Sequence, residues 1–92
     1  MIRTFRDKDA EELFNDSSIP RFRNIERAAR RKLLYLNAAK KLEDLRIPPG
    51  NRLEALKGDR RGQHSIRIND QWRICFTWND GEALNVEIAD YH

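Results

Sequence analysis

Residues 64–90 read HSIRINDQWRICFTWNDGEALNVEIAD, and this stretch decides the fold. Ile66 and Ile68, then Trp72, Ile74, Phe76 and Trp78, then Leu84, Val86 and Ile88 are apolar at alternate positions, the period of half-buried strands. All carry even numbers, so each connection must preserve parity if one face is to stay apolar. A three-residue loop, Asn69-Asp70-Gln71, sets Ile68 opposite Trp72, and a five-residue loop from Asn79 to Ala83 sets Trp78 opposite Leu84. That register gathers Arg67, Arg73, Cys75, Glu87 and Ala89 on the other face. There Arg67 lies opposite Arg73, an unfavourable pairing unless an anion sits between the two. Asp90, Tyr91 and His92 follow the last strand, a carboxylate, a phenol and an imidazole in a row. Chain ends usually fray, but a strand leading into this one offers acid and base groups a rigid mount. Asp90 and His92 share the parity of the core residues, so they must leave the alternation to join Arg73.

Working upstream, Leu53 to Leu56 is a candidate short strand, followed by the polar loop Lys57-Gly58-Asp59-Arg60-Arg61-Gly62. From about Asn24 to Leu45, Ile25, Ala28, Ala29, Leu33, Leu36, Ala39, Leu42 and Leu45 recur at three- and four-residue steps. This spacing predicts one long amphipathic helix with its basic residues outside, stopped by Pro48-Pro49-Gly50. Asp9 with Glu12 reads as a capping box opening a shorter helix through Phe14-Asn15, and residues 15–20 form a loop. Ile2 and Phe5 suit a short opening strand. The chain shows no repeat, linker or low-complexity tract. The expectation is one α+β domain over residues 1–92, with two N-terminal helices packed on a small antiparallel sheet.

At 92 residues such a domain buries about two thirds of its unfolded surface, leaving no room for a large internal cofactor. Charged residues make up 36% and hydrophobic ones 39%, a composition that folds. No apolar run is long enough to span a bilayer, and no apolar segment follows the basic start, so a cytoplasmic protein is expected. Cys75 is alone, with no His or Cys at metal-ligand spacing, and reads as a buried thiol in a reducing compartment. Neither a metal nor a cofactor is expected. Net charge is +3, with a pI near 9.4 and arginine well ahead of lysine. Arg21, Arg23, Arg27, Arg30, Arg31 and Lys32 form one basic run; Arg52, Lys57, Arg60, Arg61, Arg67 and Arg73 form a second. Each alone reads as a solvated face. Two runs, rich in the side chain that grips phosphate best, point toward a polyanionic partner.

Taken singly, Arg73 is a solvent-facing strand arginine, Lys57 a surface lysine and His64 a hydrogen-bonded structural histidine. Taken together, Leu56-Lys57-Gly58-Asp59-Arg60, His64-Ser65-Ile66-Arg67, Trp72-Arg73-Ile74 and Asp90-Tyr91-His92 resemble the HigB toxins of the RelE/ParE superfamily of toxin–antitoxin systems. Residues 51–56, Asn-Arg-Leu-Glu-Ala-Leu, resemble the GraT-like branch of that group. The resemblance implies the compact sheet-and-helices fold that RelE/ParE proteins share with microbial RNases. It also implies metal-independent cleavage of mRNA in the A site of translating ribosomes, on the 30S subunit. Lys57 matches the family lysine and Arg73 the family arginine, both placed near the scissile phosphate; Asp90, Tyr91 and His92 match its C-terminal triad. One position departs: some members carry histidine three residues before that lysine, and here it is Glu54. The implied partners are a HigA-like helix-turn-helix antitoxin, through which alone operator DNA would be bound, and the ribosome with its mRNA. Arg27, Arg30, Arg31, Arg60, Arg61 and Arg67 are the candidate RNA and ribosome contacts.

The residues make chemical sense without that resemblance. RNA carries its own nucleophile, the 2′-hydroxyl, so a nuclease must supply a base, an acid and cations for charge building on phosphate. Asp90 or Glu54 can be the base. His92 suits the acid, with an unperturbed pKa of about 6.5 that a phosphate neighbour raises. Lys57 and Arg73 fit the cationic role, and Tyr91 stacking or alignment. Two other readings compete. A ParE-like protein of the same fold would inhibit DNA gyrase without catalysis, and would have no use for terminal proton-transfer groups. A small DNA-binding protein has only the basic helix from Asn24 in its favour.

Overall fold

Four antiparallel strands, β1 (Glu54–Ala55), β2 (His64–Arg67), β3 (Trp72–Asn79) and β4 (Glu82–Asp90), lie side by side in chain order in this computed structural model, which describes residues 1–90. The first hairpin keeps the expected register: Ile66 pairs with Ile74 and Arg67 with Arg73. Ile68 N donates to Trp72 O at 2.9 Å. The loop closes because Asn69 Oδ1 accepts from the backbone of both Gln71 (2.9 Å) and Trp72 (2.8 Å), an Asx turn. Among the described residues the facing arginines meet different carboxylates. Arg67 turns to Asp70 and Arg73 to Glu54, so each has its own carboxylate.

The second hairpin departs from the expected five-residue loop. Asp80 (φ 55°) and Gly81 (φ 80°) form a two-residue turn between paired Asn79 and Glu82. Two successive left-handed residues match the twist of the flanking strands, which a longer loop does not require. Trp78 therefore faces Ala83 and Thr77 faces Leu84. Asn85, also left-handed at φ 54°, then absorbs one extra residue as a bulge. Cys75–Glu87 and Ile74–Ile88 pairing resumes beyond it. In consequence Ala83 is fully buried beside Val86, while Leu84 is only half-buried.

Helix α1 (Lys8–Phe14) is capped two residues before Asp9, where the expected Asp9–Glu12 box would open it. Its N-cap is Asp7, whose carboxylate accepts from Asp9 N at 3.0 Å. Helix α2 (Glu26–Ala38) follows a 3₁₀ turn over Pro20–Ile25 and buries Ala29, Leu33 and Leu36. The single long helix expected to Leu45 ends here instead. Ala39 is extended (ψ 134°), and Asp44 Oδ2 accepts from the backbone N–H of Lys40 (3.0 Å) and Lys41 (3.1 Å), folding Leu42–Arg46 into a 3₁₀ turn. Ala39 and Leu45 still reach the core from this turn, so the apolar period runs through a break in the backbone. Another 3₁₀ turn covers Pro49–Asn51. Its Asn51 is fully buried, donating to Leu45 O (3.1 Å) and Ile47 O (3.4 Å) and accepting from Lys32 Nζ, which ties the turn to α2.

Leu13, Phe22, Leu33 and Leu36 meet Ile66, Ile74, Phe76 and Val86 in one core, so the helices cover one face of the sheet. The N-terminal segment runs parallel to β4, bridging Ile2 with Ala83 and Phe5 with Val86 and covering that strand's outer edge. The expected α+β architecture is thus the observed one. Among the described residues no helix is long and apolar enough to cross a membrane.

Candidate active site

The helices leave the other sheet face open, and there one row of partners runs across all four strands: Glu54, Ser65, Cys75 and Glu87. The two central side chains are small, yet Ser65 and Cys75 are both fully buried. Two arginines reach over this floor. Arg73 extends from β3 toward β1, with Nε donating to Ser65 Oγ and Nη2 to the Arg52 carbonyl, each at 2.8 Å. Glu54 Oε1 lies 3.3 Å from the same Nη2, and the Arg73 side chain is only 12% exposed. Arg52 is itself left-handed (φ 46°) at the end of the Pro49–Asn51 turn. Arg60 comes from the turn after β1 and runs the opposite way, its Nη1 donating to Gln63 Oε1 (3.1 Å) and to Glu87 Oε1 (2.6 Å). Burial above all pushes the Cys75 thiol up in pKa; Arg60 and Arg73 oppose this, and Glu87 and Glu54 add to it.

The candidate residues distribute over this frame as follows. Glu54 and Arg73 are in direct contact. Lys57 is exposed where the chain leaves β1 and enters the Gly58–Arg60 turn, and with Leu56, Gly58 and Arg61 it lines a groove of ≈ 480 Å³. It stands three residues beyond Glu54, roughly 10 Å along an extended chain. Asp90 closes β4 opposite Trp72, accepting from Gln71 Nε2 at 3.1 Å, while the partner of Arg73 is Ala89. The alternation therefore continues through Asp90, without the bend expected there. Tyr91 and His92 lie outside the described residues.

Among the basic candidates, Arg60 and Arg61 flank the open face from the turn, and Arg67 is engaged by Asp70. Arg27 and Arg31 are exposed on α2, in the other layer, lining a groove with Leu34. Arg30 faces inward and links the helices, donating to Leu13 O (3.1 Å) and Ser17 O (3.3 Å) beside Glu26 and Asp16. His64 is half-buried and stacked on Phe76 (6.2 Å between centroids). Its Nδ1 has no hydrogen-bond partner among the described residues, so stacking, and not the expected hydrogen bond, positions that edge of the ring. No group of three or more His, Cys, Asp or Glu among the described residues is placed to hold a metal ion.

Sequence reasoning missed Ser65 and the Arg52 carbonyl as partners of Arg73, and Glu87 as the partner of Arg60. The parity of Ser65 and Glu87 was the available signal, since both share the face of Arg73.

Comparison with known proteins bears on what this face is for. Residues 3–92 match the HigB-like toxin family, described as the RelE-like toxin of the type II toxin–antitoxin system HigB. The chain is 48% identical over 87 residues to Toxin HigB-1 of Vibrio cholerae, covering 92% of each. It is 44% identical over 41 residues to Endoribonuclease HigB of Proteus vulgaris, 45% of each chain. A chain of the heterotetrameric YoeB–YefM toxin–antitoxin complex from Staphylococcus aureus superposes with a TM-score of 0.58 at 20% identity. That alignment covers 100% of this chain and 98% of the other, a likeness of fold. With its open arginine-bearing sheet face and a family match over nearly its whole length, this chain belongs to the HigB-like toxins, the RelE-like toxins of type II toxin–antitoxin systems.

Proposed function

We propose that this toxin is a cytoplasmic endoribonuclease, one domain over residues 1–92, that cleaves mRNA in the A site of translating ribosomes without a metal or cofactor. The observation that carries the reading is Arg73, pinned by Ser65 and Arg52 on the open sheet face with the Glu54 carboxylate 3.3 Å away. A cation and a base side by side are what 2′-hydroxyl attack on phosphate requires. In that reaction the 2′-oxygen bonds to phosphorus as its proton passes to the base, and the P–O5′ bond breaks as an acid protonates the leaving oxygen. The RNA is left with a 2′,3′-cyclic phosphate and a 5′-hydroxyl end. Arg73 and Lys57 stabilise the charge on the phosphoryl oxygens. The ion pair with Arg73 supports Glu54 as the base, with Asp90 the other candidate; His92 is the acid and Tyr91 stacks or aligns. Arg60, Arg61 and Arg67 follow the RNA on this face. Arg27 and Arg31, exposed on α2 in the other layer, are the candidate contacts to the ribosome, while Arg30, engaged with Leu13 and Ser17, links the helices instead. A HigA-like helix-turn-helix antitoxin silences the toxin and contributes the contacts to operator DNA. The experiment is primer extension on a reporter mRNA after induction of the wild type and of Arg73→Ala. Cleavage in frame with translation, lost in the variant, is the expected result. Growth arrest with intact mRNA and damaged DNA would point instead to a gyrase inhibitor.

A further inference from the structure

We propose that Ser65 is the positioning residue of Arg73, holding its guanidinium in the one roll angle that serves the reaction; this rests on Arg73 acting as proposed above. Ser65 occupies the second place in the row Glu54–Ser65–Cys75–Glu87 and is fully buried, so its side chain has a fixed surrounding. Its hydroxyl oxygen accepts from Arg73 Nε at 2.8 Å. Nε is the one donor of a guanidinium that lies on the side chain's own stem. A bond there fixes rotation about the last aliphatic carbon, which contacts at the terminal nitrogens alone leave looser. The Arg52 carbonyl takes Nη2 at 2.8 Å from the β1 side, so oxygens from two different segments bind one edge of the guanidinium fork. Both belong to rigid parts of the chain. Ser65 is in a paired strand, and Arg52 follows buried Asn51, which Lys32 anchors to α2. Glu54 Oε1, 3.3 Å from Nη2 and on a half-exposed side chain, is the solvent-facing member of the set. An incoming phosphate can compete with Glu54 while Ser65 and Arg52 keep the guanidinium plane in place. Alanine at 65 removes the acceptor and leaves the Nε–H covered by protein, with one fewer oxygen to fix the plane.

The test is a double-mutant cycle on the single-turnover rate of reporter mRNA cleavage by the full-length toxin in a reconstituted translation reaction. Ser65→Ala is expected to lower the rate about 10–100-fold, the scale of a small misplacement of a catalytic group. In an Arg73→Ala background the same substitution is expected to change the rate less than about twofold, because the group it positions is gone. Ser65→Thr keeps the oxygen and is expected to recover rate relative to alanine. Ser65→Cys matches the size with a poorer acceptor, and is expected to fall with alanine; it serves as the reporter if alanine fails to fold. Equal losses in both backgrounds would mean that Ser65 only supports the sheet, and would overturn the proposal. Unchanged cleavage by Ser65→Ala, with Arg73→Ala inactive, would overturn it too. Full cleavage by Arg73→Ala would instead sink the reading of Arg73 on which the proposal stands.

Discussion

Glu87 Oε1 lies 2.6 Å from Nη1 of Arg60, although the two residues enter the sheet face from opposite edges. Arg60 belongs to the Gly58–Arg60 turn that connects β1 to β2, and Glu87 belongs to β4 on the far side of β3. The Arg60 guanidinium meets this half-buried carboxylate in a charge-assisted bond, a salt bridge laid over the sheet face. Beneath this bridge sits Cys75, paired with Glu87 and fully buried.

Cutting the bridge should expose the thiol. Glu87→Ala leaves the Arg60 stem without an anchor on β4. With about 1.5–3 kcal/mol of charged hydrogen bond lost, native-state alkylation of Cys75 by iodoacetamide should accelerate about tenfold or more. The rate is read by mass spectrometry under native conditions, with Cys75→Ser as the unlabelled control. An unchanged rate would show that something other than Arg60 covers Cys75.

The Glu54–Arg73 contact makes a prediction about which group takes the proton. Arg73→Ala should lower the cleavage rate about 10²–10³-fold. Arg73→Lys should recover little, since one ammonium cannot reach Ser65 and Arg52 in the geometry of a planar fork. If Glu54 is the base, Glu54→Gln should slow cleavage about 10²–10⁴-fold, and Asp90→Asn should cost far less. The reverse pattern would hand the role to Asp90.

Much of this architecture is legible in the chain because period and turn chemistry are local. The Ile66–Trp78 alternation and the Asn69 loop set the first hairpin, and Arg67 faces Arg73 as the parity requires. The second hairpin misleads because Leu84, Val86 and Ile88 look like one uninterrupted face. The Asp80-Gly81 signal for a two-residue turn competes with that pattern and wins, and Asn85 reconciles them with a bulge. The helix break at Ala39 has no glycine or proline to announce it. It depends on a carboxylate several residues downstream, while Ala39 and Leu45 keep the helical period intact. For the site, the resemblance to the HigB toxins singles out Arg73 and Lys57, with Glu54 as the position that departs from it. Parity puts Ser65 and Glu87 on the face of Arg73, but which arginine each one meets depends on neighbours across the sheet that the sequence alone does not name.

That distant carboxylate gives stability a defined pH dependence. Backbone N–H bonds from Lys41 and then Lys40 hold the Asp44 carboxyl below the usual aspartate range of the unfolded chain. Because the folded pKa is the lower one, its contribution is complete above the unfolded value of about 3.9 and is lost as pH falls through the folded value. Asp44→Ala should therefore lower Tm at pH 7, and the gap to wild type should close as pH drops below about 4. A gap that persists at pH 2 would mean that packing of the Leu42–Arg46 turn, and not the carboxylate, is what the substitution removes.

The bulge at Asn85 is the last point at which the strand pattern can be tested. Its φ of 54° lies where asparagine is tolerated, glycine is comfortable and a β-branched side chain is strained. Its N–H donates to Thr4 Oγ1 at 2.8 Å, so the bulge also secures the N-terminal segment along β4. Asn85→Gly should unfold in urea within about 0.5 kcal/mol of wild type, because it keeps both the conformation and the N–H. Asn85→Val should lose about 1–2 kcal/mol through left-handed strain. Relieving that strain by slipping the register would restore strict alternation, placing Leu84 in the core and expelling Ala83, and would dislodge Ile2 from its bridge to Ala83. Amide exchange distinguishes the two responses. Faster exchange at Arg3, whose N–H donates to Ala83 O at 2.7 Å, marks the slip, whereas unchanged protection there with lower global stability marks strain borne in place. An Asn85→Val protein as stable as wild type would show that this residue does not set the register.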